Sequence, residues 1–116
     1  MTKRENTILT KIIEEATTVS NMLHGVDEQG FLANDEKMRA TCMTLINIGE
    51  LIKNLDFEFR QKYSNIPWKD MAGLRDVAAH GYFALRMNDV WIYASEEIPV
   101  ILDNIKAILD ENTSAK

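Results

Sequence analysis

The sequence predicts an all-α protein, folded as an up-and-down bundle of four or five helices joined by short connections. Apolar residues recur at spacings of three and four along most of the 116 residues, which is the period of one buried helix face. Only two prolines and five glycines interrupt the chain, which favours long helices over a sheet with many turns. No repeat or linker divides the sequence, so we expect residues 1–116 to form a single domain.

The first predicted helix runs from about Glu5 to His24, and Gly25 is expected to stop it. Its buried face should carry a set of apolar residues spaced by three and four: Ile8, Ile12, Ala16, Val19 and Leu23. His24 then lies at the C-terminal end, where a cation is favourable.

A second, unusually long helix is predicted after a turn that contains Gly30. Asn34 or Asp35 can cap its start, and its apolar stripe continues to about Tyr63. The stripe consists of seven residues at helical spacing: Met38, Cys42, Leu45, Ile48, Ile52, Leu55 and Phe59.

The third predicted helix starts at Pro67 and runs towards His80, with Gly81 suited to its end. Asn88 is expected to cap a fourth segment, which Pro99 should kink or split near Glu97 because proline lacks a backbone donor. The inward face of that segment is a further apolar set: Ala94, Ile98, Ile101, Ile105 and Ile108.

Gly49 and Gly73 fall inside predicted helices, where each costs up to about 1 kcal/mol relative to alanine. Such a cost indicates close backbone approach. A helix crossing within one chain and a contact between subunits explain either glycine equally well.

The charge and composition of the chain exclude some classes of protein function. The net charge of −5 argues against non-specific coating of nucleic acid, and no apolar run approaches the roughly 20 residues of a membrane span. We therefore expect a cytoplasmic protein without membrane association. Cys42 is the only cysteine, which excludes an internal disulfide and a cysteine-based zinc site. It is expected to be a small buried hydrophobe.

Positive charge is concentrated in residues 51–86, which carry six basic and four acidic side chains, whereas the rest of the chain carries seven basic and fourteen acidic ones. A polyanion is expected to meet the protein at this segment. Ordinary variation among solvated helix faces explains the same asymmetry.

Arg75 and His80 are the residues best suited to chemistry. Their five-residue spacing separates them by about 140° on an ideal helix, so a joint site needs His80 to leave the helical path or a two-fold axis to bring two copies together. A histidine can act as general base and general acid in RNA cleavage through the ribose 2′-OH, while an arginine binds the phosphate.

A simpler interpretation also fits these residues. Asp76 and His80 are four apart and can form an ordinary surface pair, with Arg75 as a solvated cation. A metal site built on this pair would be incomplete, so we expect no metal. Trp68, Phe83 and Trp91 are expected to be core or interface anchors.

Several motifs occur together in a characteristic order. Arg75, His80 and Tyr82 form the pattern R-x4-H-x-Y. Further matches flank it: Ile48-Gly49-Glu50, Ile66-Pro67-Trp68, Gly73-Leu74, Phe83 and Trp91. Over nearly the full chain, this series resembles the HEPN superfamily, and within it the HepT-like toxins that are encoded beside a minimal nucleotidyltransferase antitoxin.

The resemblance implies an all-α homodimer in which Arg75 and His80 form a composite, metal-independent ribonuclease site at the dimer interface. It implies RNA as the substrate, no resident cofactor and a toxin role. It also implies that the partner nucleotidyltransferase silences the toxin by transferring AMP from ATP to the hydroxyl of Tyr82.

Two positions depart from this family pattern. Many relatives have asparagine where this chain has Asp76, whose carboxylate is expected to repel a phosphate or to bind the Arg75 guanidinium. The loop after Phe83 begins with Ala84, where relatives often have glycine.

Two other function classes remain open. In one, the domain is a non-catalytic subunit that docks on a nucleotidyltransferase and presents Tyr82 or the basic segment to it. In the other, it is a dimeric helical scaffold.

Overall fold

The computed structural model describes residues 1–78 and 85–114, and the side chains of all of these except residues 77, 78, 113 and 114. The described residues form seven α-helices and one π-helical segment: α1 (Lys3–Leu23), α2 (Glu28–Leu32), α3 (Asp35–Lys53), α4 (Phe57–Lys62), α5 (Trp68–Ala78), α6 (Met87–Ile92), the π segment Tyr93–Glu97 and α7 (Ile98–Ser114). No strand occurs among them. The all-α prediction is therefore confirmed, and the homodimer stays a prediction.

The long helices pack around one hydrophobic core. Helix α3 lies against both α1 and α5, and α1 also packs on α7. The inward faces predicted from the apolar spacing are buried, apart from the half-buried Met38. In the part of the chain that the structure describes, no helix is both long enough and apolar enough to cross a membrane.

Helix α1 begins two residues before its predicted start because Thr2 caps it. The Thr2 hydroxyl accepts from the backbone N–H of Glu5 at 3.0 Å, and the Glu5 carboxylate accepts from the N–H of Thr2 at 2.9 Å. This reciprocal pair satisfies two donors that would otherwise lack partners. Gly25 adopts a φ of 75°, which confirms the predicted stop.

The prediction of one long second helix is wrong. Asn34 caps α3 as expected, but the helix ends at Lys53. The Asn54 side chain donates to the carbonyl of Glu50 at 2.9 Å, and the N–H of Leu55 turns back to Ile52. The chain starts again as α4, and the buried Leu55 bridges the break. The apolar stripe thus continues through a turn, which its spacing alone does not reveal.

Two further boundaries differ slightly from prediction. Residues 28–32, expected as a turn, form the short helix α2, capped by the Asp27 carboxylate on the N–H of Gly30. Asn88 lies inside the first turn of α6 rather than at its cap, which is Arg86. Helix α5 begins at Trp68, directly after Pro67. Its predicted end at His80 and Gly81 lies outside the described residues.

Pro99 perturbs the last helix where predicted. The five residues before Ile98 are π-helical, and the N–H of Ile98 donates to the carbonyl of Tyr93. Proline has no N–H for the carbonyl four residues earlier, so the wider turn accommodates the missing bond. The Ser95 hydroxyl of this segment donates to the carbonyl of Trp91 in α6 at 2.6 Å.

Gly49 allows α3 and α5 to approach closely. A Cβ added at Gly49 would lie 2.8 Å from the Cβ of Arg75 and 3.0 Å from the carbonyl oxygen of Met71. A Cβ added at Gly73 would meet no atom within 4 Å among the described residues. The crossing of α3 and α5 within one chain therefore explains why position 49 is a glycine. The same crossing does not explain the glycine at position 73.

We predict that Gly49→Ala lowers the free energy of unfolding by about 1–2 kcal/mol. The added methyl overpacks the crossing, at a cost of about 1–3 kcal/mol, and the better helix propensity of alanine offsets part of that cost. Urea unfolding followed by circular dichroism measures the change. Gly73→Ala is the matched control and should keep or slightly raise stability. A Gly49→Ala protein as stable as the wild type would contradict the close crossing.

Candidate functional site

The candidate site lies where α3 and α5 cross, and it is made of two charged residues from each helix. Glu50 and Lys53 are three residues apart and share one face of α3. Arg75 and Asp76 are consecutive on α5. Gly49 brings the two helices together beside Glu50, so the backbone contact and the charged contacts belong to one crossing.

The guanidinium of Arg75 is held at two positions. Its Nε donates to the Glu50 carboxylate, and its Nη1 lies 3.4 Å from the Asp76 carboxylate. These interactions, led by the hydrogen bond to Glu50, raise the pKa of Arg75 above its already high ordinary value. Arg75 is therefore a permanent cation with a fixed orientation.

Asp76 also binds Lys53, whose ammonium donates to the same carboxylate oxygen. This hydrogen bond is the largest cause of a lowered pKa at Asp76. Because the pKa is lowered in the folded protein, the stabilisation from Asp76 is present at neutral pH and is lost only as the pH falls through that lowered pKa. The four side chains thus form a chain of alternating charge in the order Glu50, Arg75, Asp76 and Lys53.

The network is open to solvent. The Arg75 side chain is 37% exposed and that of Asp76 is 57% exposed, so solvent reaches both residues. Glu50 binds the inner Nε, and no residue in the described part of the chain binds Nη2. Terminal N–H groups of this kind match the oxygens of a phosphate.

The remaining predicted site residues lie beyond the described ranges. His80 and Tyr82 belong to residues 79–84, so neither the composite site nor the surface pair of His80 with Asp76 is tested. Asp76 binds Arg75, which confirms one of the two effects expected for its carboxylate. Its other partner is Lys53 on α3, a pairing that spacing within one helix does not predict.

The sequence pattern does not show that Glu50 and Lys53 contact Arg75 and Asp76. Exposed acidic and basic residues three apart on a helix are common, and nothing local shows which other helix they face. The available signal is Gly49, whose helix penalty indicates close approach, next to an acidic residue.

The structure confirms a purely structural role for three other residues that the sequence analysis singled out. Cys42 is 1% exposed, and burial raises the pKa of its thiol, as expected for a small hydrophobe rather than a nucleophile. Trp68 is a core anchor whose indole N–H donates to the carbonyl of Tyr63 at 3.0 Å. Trp91 is partly buried, and its ring centroid lies 5.4 Å from that of Phe31. Phe83 lies outside the described residues.

Comparison with known proteins identifies relatives over most of the chain. A protein of Caldanaerobacter subterraneus subsp. tengcongensis named "Putative RNase TTE0752" is 35% identical over 103 residues, which cover 89% of this chain and 92% of the relative. "Putative RNase MJ1380" of Methanocaldococcus jannaschii is 31% identical, with 93% of this chain and 100% of the relative covered. "Probable ribonuclease HepT" of Thermococcus cleftensis is 28% identical, with 85% and 90% covered. No solved structure gives a significant match.

A family model described as "Ribonuclease HepT-like" matches residues 12–108. These residues include Glu50, Lys53, Arg75 and Asp76, as well as His80 and Tyr82. The match confirms the resemblance inferred from the motifs, and the chain belongs to the HepT-like ribonuclease family of the HEPN superfamily.

Proposed function

We propose that this chain is a metal-independent endoribonuclease that acts in the cytoplasm as the toxin of a toxin–antitoxin pair. Arg75 binds the scissile phosphate, and His80 is the general acid and base. A homodimer supplies the complete site by bringing two copies of the α5 end together. Membership of the HepT-like family supports the ribonuclease activity, and the ribonuclease names of the relatives support it as well.

The observation that carries this proposal is the way in which Arg75 is held. Glu50 fixes the Nε side of the guanidinium from α3, while more than a third of the side chain faces solvent. A preorganised cation of this kind stabilises charge as it develops on phosphate oxygens without a cost of reorganisation.

The proposed reaction needs two proton transfers. A neutral imidazole takes the proton from the ribose 2′-OH, and the 2′-oxygen attacks the adjacent phosphorus. The bond from phosphorus to the 5′-oxygen breaks, and an imidazolium gives that oxygen a proton. The products are a 2′,3′-cyclic phosphate and a 5′-hydroxyl. A two-fold axis would supply both imidazoles from the His80 residues of two subunits.

We predict that His80→Ala and Arg75→Gln each lower the rate of RNA cleavage by about 10²-fold or more, since each removes a group that acts in the transition state. Single-stranded RNA is incubated with each protein in EDTA, and the ends of the products are analysed. The wild type should give cyclic phosphates and 5′-hydroxyls, and it should leave DNA of the same sequence intact.

Two substitutions serve as matched controls. His24→Ala changes the only other histidine, and Arg4→Gln changes an exposed arginine on α1. Both should cleave at the wild-type rate. RNA that stays intact with the wild-type protein, or equal cleavage by His80→Ala, would overturn the ribonuclease assignment.

We also propose that a minimal nucleotidyltransferase partner inactivates the protein by adding AMP to Tyr82. The Tyr82 oxygen would attack the α-phosphorus of ATP, and pyrophosphate would leave. Tyr82 is two residues from His80, so the added nucleotide would place bulk and phosphate charge where RNA must bind.

The prediction for this modification is a mass increase of one or more AMP units after incubation with the partner enzyme and ATP. Tyr82→Phe should show no increase. Tyr93→Phe is the control, because the Tyr93 hydroxyl is buried and should not be a substrate. An unchanged mass of the wild-type protein, measured by intact mass spectrometry, would contradict the proposal.

One observation favours a second candidate function. Asp76 binds the terminal Nη1 of Arg75, so a phosphate must compete with this carboxylate for the guanidinium. A non-catalytic subunit that docks on a nucleotidyltransferase would use this network only to hold α5. Expression in cells separates the two functions: a ribonuclease should stop growth in a manner that His80→Ala abolishes, whereas a docking subunit should be harmless in both forms.

A further inference from the structure

A cavity of about 390 Å³ lies between α4 and the first turn of α5, away from the Arg75 network. Phe57 and Arg60 line it from α4, and Trp68 and Lys69 line it from α5. Its volume falls within the range of roughly 300–1,000 Å³ that ligand pockets occupy. Neither the charged site nor the hydrophobic core accounts for this cavity.

Two aromatic side chains line the cavity, one exposed and one buried. Phe57 is 66% exposed at the first position of α4, whereas Phe59, two residues later, is 7% exposed in the core. Trp68 is 5% exposed, and its indole N–H is bound by the carbonyl of Tyr63, so this ring is fixed at the base of α5. An exposed phenylalanine beside a rigid wall gives a flat ligand a surface to stack on.

The charged residues that line the cavity are two cations and one anion. Arg60 follows Phe57 by one helical turn, so both lie on the same face of α4. The Nε of Arg60 is buried and has no hydrogen-bond partner among the described residues, which is a costly state for a donor. Lys69 adds a second positive charge, and the Asp70 carboxylate offsets one of the two.

The combination of an exposed stacking ring and two cationic side chains matches a nucleotide unit. Every base has a face that stacks on an aromatic ring, and arginine and lysine bind the phosphates on either side. The cavity also lies within residues 51–86, the segment with more basic than acidic side chains in an otherwise acidic chain.

We propose that this cavity binds one nucleotide of single-stranded RNA that flanks the cleaved bond, with its base on Phe57 and its phosphate on Arg60 and Lys69. The inference rests on the proposed ribonuclease function. Lys69 precedes Arg75 by six residues, which separates them by about 9 Å along α5 and by about 120° around it, so an RNA segment that reaches both must curve around the helix. The cavity would then hold substrate without touching the reacting atoms.

The test measures RNA binding apart from cleavage. A fluorescein-labelled decamer of single-stranded 2′-O-methyl RNA has no free 2′-OH and cannot be cleaved by the proposed reaction. Its fluorescence anisotropy is titrated with the full chain at several salt concentrations. Phe57→Ala should weaken binding by at least about fivefold, which is the lower limit for loss of one stacked base. Arg60→Gln should also weaken binding and reduce the slope of log affinity against log salt by about 0.7.

Exposed residues of α7 supply matched controls. Val100→Ala removes an apolar side chain that is 59% exposed, and Lys106→Gln removes one surface charge. Both should bind RNA as the wild type does. Wild-type affinity in Phe57→Ala and Arg60→Gln, or no binding by any form, would overturn the cavity as an RNA site. Cleavage of ordinary RNA, measured in parallel, shows separately whether the proposed ribonuclease function fails.

Discussion

The close crossing of α3 and α5 at Gly49 is the contact on which the rest of the site depends. A side chain at position 49 would meet the Cβ of Arg75 and the carbonyl oxygen of Met71, so the backbone of α3 lies directly against α5. Glu50 and Lys53 then meet Arg75 and Asp76 across the crossing. A wider separation would leave the four charges as ordinary surface residues, since exposed ion pairs that are not held in place contribute little.

The two carboxylates that bind Arg75 have different consequences for its chemistry. Glu50 contacts the Nε, which fixes one side of the guanidinium and leaves its terminal groups free of the Glu50 carboxylate. Asp76 contacts the terminal Nη1, where a phosphate would also bind, and Lys53 draws the same carboxylate oxygen towards α3. Glu50 therefore holds the arginine in place, whereas Asp76 would compete with an anion for it. Lys53 moderates that competition by sharing the charge of Asp76.

Much of the fold could be predicted from the sequence, because the buried faces of α1, α3 and α7 follow the 3.6-residue period closely. The break at Asn54 could not, since a side-chain hydrogen bond to Glu50 ends the helix while Leu55 keeps the apolar stripe intact. Arg75 could be identified from its motif, and Asp76 as the residue beside it that departs from the family pattern. Their partners on α3 could not, because the contact joins residues more than twenty positions apart and depends on how two helices cross.

The central claim is that Glu50 acts through Arg75 to prepare it for a phosphate. A double-mutant cycle on RNA cleavage tests this claim most directly, with Glu50→Gln measured in the wild-type and Arg75→Gln proteins. We expect Glu50→Gln to lower kcat/KM by about tenfold in the wild type, which corresponds to about 1.4 kcal/mol, and to cause no further loss when Arg75 is already replaced. An equal loss in both backgrounds would show that Glu50 acts independently of Arg75 and would contradict the account.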